Sequence, residues 1–488
     1  MAVLLRRLGT RTARGGLATA PGDGDDRSTA RRRRDTSTAV DGPVHAGRAV
    51  ACREGDVPVG RPRVGLVCGH FDPARDGVAD YTRHLARQLR AAGCESLICT
   101  AHRYARTPGE EIVGVTDRWD VCGVRRAART ISRLPLDVVH VQFAPSAFGF
   151  SRAVGLLPLL LPAGTPVVAT LHEYGVWTAG GAGGGLRSAA WSALERQQRA
   201  DRETLVLTLK ADRLLVTAPE HADVVHARFA DRRLEVTHVP IAPNIPVARL
   251  DGEDVPSAVR ASLGLPPDAR LAVFFGFLHP VKGLAGLIEA VADVRRVVPG
   301  LRLVLAGGGE SHSVHAGAAD AMRRGLEDVA RRSGVADAVV FTGYLHEDEV
   351  SRLLRAADVA VFPFDAGVTA KSGSLLAALA HGVPTIATSP PGALDRPTEV
   401  GGVLRVPPRD TAALVDALLL VLSDRALAAR LAAAGRAGAD RWTWPRIADF
   451  HARLYAQVLQ EADRAESHGL RRRVVAGSGI RRGGRKGP

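Results

Sequence analysis

The feature that most constrains this chain is an alternation of short apolar runs with longer amphipathic stretches, which occurs twice. "RVGLVCG" (63–69) has the continuous apolar character of a strand buried on both faces. After a Gly/Asp loop, "DYTRHLARQLRAAG" (80–93) places Tyr81, Leu85 and Leu89 at i, i+4 and i+8, which predicts a helix with Asp80 as N-cap and Gly93 as its stop. "DVVHVQF" (137–143), "PVVATLHE" (166–173) and "RLLVTA" (213–218) read as further strands. The pattern lapses in the Pro-rich "VPIAPNIPVARLDGEDVP" (239–256) and then restarts. "ARLAVFFGF" (269–277), "LRLVLAGGG" (301–309), "VVFTGYL" (339–345) and "VAVFPF" (359–364) are strands, with "LAGLIEAVADVRRVVPG" (284–300) a helix between the first two. Strands that alternate with helices predict a doubly wound parallel sheet covered on both faces.

The chain is therefore read as α/β, with two Rossmann-like doubly wound parallel-sheet domains, 61–245 and 250–440, facing a cleft. A helix over 441–464 follows, where Trp444, Ile447, Phe450, Leu454 and Val458 fall near helical spacing. Sheets of this type bind ligands beyond the carboxyl ends of their strands, so two of them place a ligand in the cleft.

Charge narrows the function classes. The 488 residues carry a formal +14, of which residues 1–60 hold +4 and residues 467–488 hold +7. The body between is nearly neutral, which argues against nucleic-acid binding, since that needs a basic face on the fold itself. Segments 1–60 and 465–488 are expected to be disordered basic extensions. They are either merely solvated or in peripheral contact with an anionic membrane, where each basic residue is worth ~1 kcal/mol. Cys52, Cys68, Cys94, Cys99 and Cys122 form no CxxC pair and no metal-ligand spacing, which fits reduced thiols in a cytoplasmic protein. The one apolar stretch of membrane length, 153–171, is broken by Pro158, Pro162, Gly164 and Pro166, and reads as a short buried helix and a buried strand. Localisation is accordingly expected to be cytoplasmic, with the inner membrane face as the place for any peripheral contact.

Several residues have the chemistry of an anion and sugar site. Lys282, one of four lysines, follows a strand and opens a helix, so its ammonium and the helix amides face one space suited to a diphosphate. In "GVTAKSGSLLAALAHGVPTIAT" (367–388), Gly373 and Ser374 let backbone N–H groups approach a second set of oxygens, and Lys371 stands beside them. His172 and Glu173 end a buried strand at the cleft, where the histidine can hydrogen-bond a sugar hydroxyl. Gly77 allows close approach of the first domain's loop, with Asp76, Glu310 and Asp365 as further acids. Each has an ordinary alternative as a solvated loop residue or satisfied histidine.

In order and spacing these segments resemble the retaining, nucleotide-sugar-dependent glycosyltransferases of family 4, which have the GT-B fold. The resemblance spans about 63–460 and rests on "FFGFLHPVKGLAGLIEA" (274–290), "LVLAGGGE" (303–310), "VVFTGYLHEDEVSRLLRAADVAVFP" (339–363) and "LLAALAHGVPTIAT" (375–388), with "DGVADYTRHLARQL" (76–89) and "TLHEYG" (170–175) in the first half. It implies transfer of a sugar from a nucleoside-diphosphate donor, with retention, to a glycan, lipid-linked or small-molecule acceptor. Gly276, Lys282, Lys371, Ser372, Gly373, Ser374 and Leu375 would hold donor phosphates. Gly309, Glu310, Tyr344 and Leu345 would meet base and ribose, His172 and Glu173 the reacting sugar, and Asp76 and Gly77 the acceptor side. No cofactor is implied, and no D-x-D stands where a metal would bridge the phosphates.

The chain departs from the family at three places. The E-x(7)-E positions fall at Thr369 and Ala377, and Phe277 stands where a basic residue commonly follows the strand glycine. A Lys/Ser-rich donor loop is the reading adopted, and a catalytically inactive sugar-nucleotide-binding or scaffold protein of the same fold is the alternative. A dinucleotide oxidoreductase is excluded by the absence of GxGxxG after the first strand, where "CGHFDPARDG" stands.

Overall fold

The computed structural model describes residues 61–106, 110–175, 186–230, 234–248, 254–308, 318–369, 371–389 and 401–477. The expected disordered extension 1–60 and the end of the basic tail lie outside them. The first sheet has seven parallel strands: β1 (Arg63–Val67), β2 (Glu95–Ala101), β3 (Ile112–Thr116), β4 (Val138–Phe143), β5 (Val167–Leu171), β6 (Arg213–Val216) and β7 (Val236–His238). Their order is β3-β2-β1-β4-β5-β6-β7. The second has six: β8 (Arg270–Phe275), β9 (Leu301–Ala306), β10 (Val339–Gly343), β11 (Val359–Phe362), β12 (Thr385–Thr388) and β13 (Val403–Val406). These are also parallel, in the order β10-β9-β8-β11-β12-β13. The order reverses direction between β1 and β4 and again between β8 and β11, and at such a reversal a crevice opens beyond the strand ends.

The helices that frame the crevice are α1 (Gly77–Ala91), α2 (Leu284–Val294), α3 (Glu347–Ala356), α4 (Gly373–Ala380) and α5 (Trp444–Gly477). Central strands are buried on both faces: every residue of β4 and β5 is buried, as all-parallel sheets require. Tyr81, Leu85 and Leu89 pack as their spacing predicts. Gly93, at φ +88, ends the helix region where a side chain would be strained.

Two boundaries differ from expectation. Asp80 is not the N-cap of α1. Asp76 holds an extended φ of −142°, and its Oδ1 accepts from Val78 N at 2.6 Å and Ala79 N at 3.1 Å. The helix therefore starts at Gly77, and Asp80 sits one turn in. The last helix continues past 464 to Gly477. It does not stay with the second domain: Ile447, Ala448, Leu454 and Tyr455 join Val64, Leu66, Leu85 and Leu89 in the first domain's core. Tyr455 Oη lies 2.7 Å from His140 Nδ1, and Trp444 Nε1 donates to Pro243 O at 2.8 Å.

Candidate functional site

The floor of the cleft is made of glycine backbone. Gly276, after β8, has φ +144, and a Cβ there would lie 3.0 Å from Ser374 Oγ. Gly307, after β9, has φ +148, and its Cβ would come within 2.0 Å of Gly276 O. Both φ values lie where side chains are strained, so glycine lets adjacent strand ends flatten side by side. Above them is a cavity of about 120 Å³ that both domains line. The second domain contributes Gly276, Phe277, Gly308, Tyr344, Leu345 and Ser374, and the first contributes Asp76, Gly77, Asp80 and Arg83. A Cβ at Gly77 would meet nothing within 4 Å, so this glycine leaves space rather than relieving a clash. Tyr344 is 55% exposed and presents its ring for stacking. Gly309 and Glu310 lie outside the described residues.

The carboxylate-free loop joins the cleft through α4. Ser372 caps this helix, its Oγ accepting from Leu375 N at 3.4 Å, and Gly373 and Ser374 form the first turn, whose amides remain available to an anion. Lys371 crosses to the first domain, where its Nζ lies 3.4 Å from His221 Nε2. Its charge reaches further. Burial first, then Lys371 and neighbouring histidines, push His172 down to about 3, and His221 is lowered to about 4 by the same two causes in the same order. Burial raises Glu173, Lys371 opposes that, and Asp76 adds to it. His172 is thus neutral, with Nε2 2.9 Å from Gln142 Oε1 and the Tyr81 ring edge-on at 4.7 Å.

Lys282 does not line this cavity. It ends the Pro280–Lys282 turn before α2, with Nζ 3.5 Å from the centroid of Phe364. Burial lowers it to about 8, and no described carboxylate pairs with it. Asp365 is taken up by Arg409 at 3.2 Å.

Sequence reasoning missed the contacts that span the cleft. Arg83 Nη2 donates to Asp80 Oδ1 at 2.7 Å and to Glu347 Oε1 of the second domain at 2.5 Å. Asn244, in the linker, donates from Nδ2 to Asp80 Oδ2 at 2.9 Å. The turn after Glu173 is anchored by a buried ion cluster: Arg228 donates to Asp201 and Glu203 at 2.7 Å each, and Glu203 accepts from Gly175 N at 2.8 Å. Tyr81 Oη, Arg83 Nε, Gln142 Nε2 and Asn244 Oδ1 are buried here without a hydrogen-bond partner, although buried polar groups are normally paired. Of these four, Arg83 and Asn244 line the cavity, where unpaired buried atoms mark a site built for a polar ligand.

Residues 75–244 match the model Glycosyltransferase Family 4, and residues 269–424 match Glycosyl transferases group 1. The chain belongs to the family 4 type of glycosyltransferases. Curated proteins similar to it include several named D-inositol 3-phosphate glycosyltransferase. The Streptomyces avermitilis protein is 30% identical over 62% of this chain and 63% of its own length. The Streptomyces scabiei protein is 34% identical over 53% of this chain and 57% of its own. The chain thus spans about three fifths of the length of these curated relatives. Sucrose-phosphate synthase from Thermosynechococcus elongatus superposes with a TM-score of 0.61 at 21% identity, over 82% of this chain and all of that one. Anabaena HepE, solved with UDP and glucose, gives 0.60 at 15% identity over 81% of this chain and all of its own. At such identities these structures speak for the fold, which is that of a GT-B glycosyltransferase. Among the described residues no group of three or more His, Cys, Asp or Glu side chains is placed to hold a metal ion. No described helix is long and apolar enough to cross a membrane.

Proposed function

We propose that this chain is an active glycosyltransferase that moves a sugar from a nucleoside-diphosphate donor to an acceptor hydroxyl, with retention of configuration. The observation that carries the reading is the cleft cavity, at which α4, the β8 and β9 glycines and the first domain's α1 meet, with Lys371 reaching across to His221 and its charge felt at His172 and Glu173. The nucleoside lies over Tyr344 and Leu345, and the diphosphate lies against the first turn of α4. As the bond from the anomeric carbon to the diphosphate oxygen breaks, charge grows on the leaving group. Preorganised amides and cations are suited to holding such charge. Lys371 is the nearer cation, and Lys282, without a carboxylate partner, is the second. Neutral His172, with Nε2 engaged by Gln142, keeps Nδ1 for a sugar hydroxyl. These cations take the place of a metal, and closure of the domains excludes water from the donor. The acceptor is a glycan, a lipid-linked precursor or a small polyol phosphate, the last suggested by the relatives' names. The reaction takes place in the cytoplasm, at the inner membrane face if the acceptor is lipid-linked.

Donor turnover tests this. The full chain is incubated with UDP-, GDP-, ADP- and TDP-sugars, and release of the nucleoside diphosphate is followed with and without candidate acceptors. One donor consumed by the wild type, and at least tenfold slower by Lys371→Ala, is expected. Tight binding without turnover of any donor would instead establish the inactive, sugar-nucleotide-binding alternative.

A further inference from the structure

The cavity contains three carboxylates, and all three are already engaged. Asp76 caps α1 through Val78 N and Ala79 N. Asp80 Oδ1 accepts from Arg83 at 2.7 Å, with His84 Nε2 at 3.5 Å, and its Oδ2 accepts from Asn244. Glu347 accepts from Arg83. The loop 367–375 has no carboxylate to add. A ligand rich in hydroxyls needs acceptors, and Asp80, with a donor on each oxygen, does not have one wholly free.

Asn244 does. Its orientation is fixed, because a carboxylate cannot donate and so Nδ2, not Oδ1, must face Asp80. Oδ1 then points the other way. It is buried, has no donor, and lies 3.3 Å from the point a Cβ on Gly373 would occupy, at the N-terminus of α4. Asn244 lines the cavity together with Ser374 and Gly276. A buried acceptor without a donor is costly to keep and is tolerated where a ligand completes it.

We propose that Asn244 Oδ1 accepts a hydrogen bond from a hydroxyl of the nucleotide sugar, with Asp80 as the positioning residue that holds the amide in that orientation. The inference rests on the donor reading above and deepens it. Recognition of the donor is then shared by the linker and both domains, so that binding draws the first domain onto the second.

The test titrates the full chain calorimetrically with UDP-glucose, GDP-mannose, ADP-glucose and TDP-glucose, and follows thermal melting without ligand. Asn244→Leu is expected to weaken the sugar nucleotide that the wild type binds by roughly 10- to 100-fold, the usual range for an unmet buried hydrogen bond. Its ligand-free melting is expected to fall modestly, because the orphaned acceptor goes with the substitution while Asp80 Oδ2 loses its donor. Asp80→Asn, which frees the amide to turn over, is expected to weaken binding as well, and to add nothing on top of Asn244→Leu. A purely structural role for Asp80 would show additive losses. Asn244→Ala covers the case in which the leucine variant does not fold, and is expected to weaken binding by a similar factor. If the wild type binds and Asn244→Leu binds within twofold of it, the proposal is overturned while the donor reading stands. If the wild type binds none of the four, both fall.

Discussion

At the scale of single residues, the site depends on where charge is held and where it is withheld. Lys371 is an ammonium facing histidines that stay neutral: burial and the lysine itself keep His172 near 3 and His221 near 4. Neither imidazole should therefore titrate in the working range, and His172→Gln should change the rate of transfer without shifting a limb of its pH profile between pH 6 and 9. A profile that moved would give His172 a protonated role. Lys282 behaves differently, since burial lowers it to about 8. Below that value it is charged and can hold a diphosphate. As pH rises through about 8 the charge is lost, so donor affinity should fall, and this fall should be absent from Lys282→Met. Stability follows the opposite sign. The unfolded chain keeps the proton to higher pH, so the cost of desolvating Lys282 is present below about 8 and is relieved above it. Isothermal titration and thermal melting at pH 7 and 9 check both. The sequence singles out Lys282, Lys371 and Ser374 because a lysine or a small residue between a strand and a helix stands where an anion can be met, and of the three Ser374 lines the cavity. Asn244 and Arg83 were not legible there, because their meaning comes from partners 164 and 264 residues away.

At the scale of elements, α1 carries a dual duty at its N-cap. Asp76 caps the helix and also stands in the cavity. Asp76→Ala should cost ~1 kcal/mol of stability through the lost cap, whereas Asp76→Asn should retain most of it. Denaturant unfolding of the two variants separates the cap from the charge, and equal losses would contradict the assignment. The mistaken start at Asp80 has a simple origin: the apolar periodicity begins at Tyr81, and an acid just before it looks like a cap. Central strands were legible because burial on both faces makes them continuously apolar. β2 was not, because Ser96 and Thr100 are buried within it, their hydroxyls donating to Ala86 O and Gly69 O. The outer strands β3, β7 and β13 are partly exposed and carry no strong pattern.

At the scale of the whole molecule, three features tie the two domains together: α5, the linker and the Arg83–Glu347 pair. α5 follows the second domain in sequence but is buried in the first. Tyr455→Phe removes the Oη contact of its buried ring with His140, which should cost about 1–3 kcal/mol because an imidazole nitrogen is left unpaired. Thermal melting checks this, with an unchanged midpoint arguing that α5 does not fasten the fold. The Arg83–Glu347 pair is partly exposed, so a double-mutant cycle should give it under about 1 kcal/mol. Two domains facing a cleft were legible from the repeated strand–helix pattern, whereas the return of α5 to the first domain was not, since an apolar helical face does not say which core receives it. The central claim is that the cleft holds a nucleotide sugar, and one titration tests it most directly: calorimetry of the full chain with UDP-, GDP-, ADP- and TDP-sugars, beside Lys371→Ala. The account predicts that one base is bound and that the variant weakens it by roughly tenfold or more, as loss of a charged contact should. No binding by folded wild-type protein, or equal binding by the variant, would contradict it.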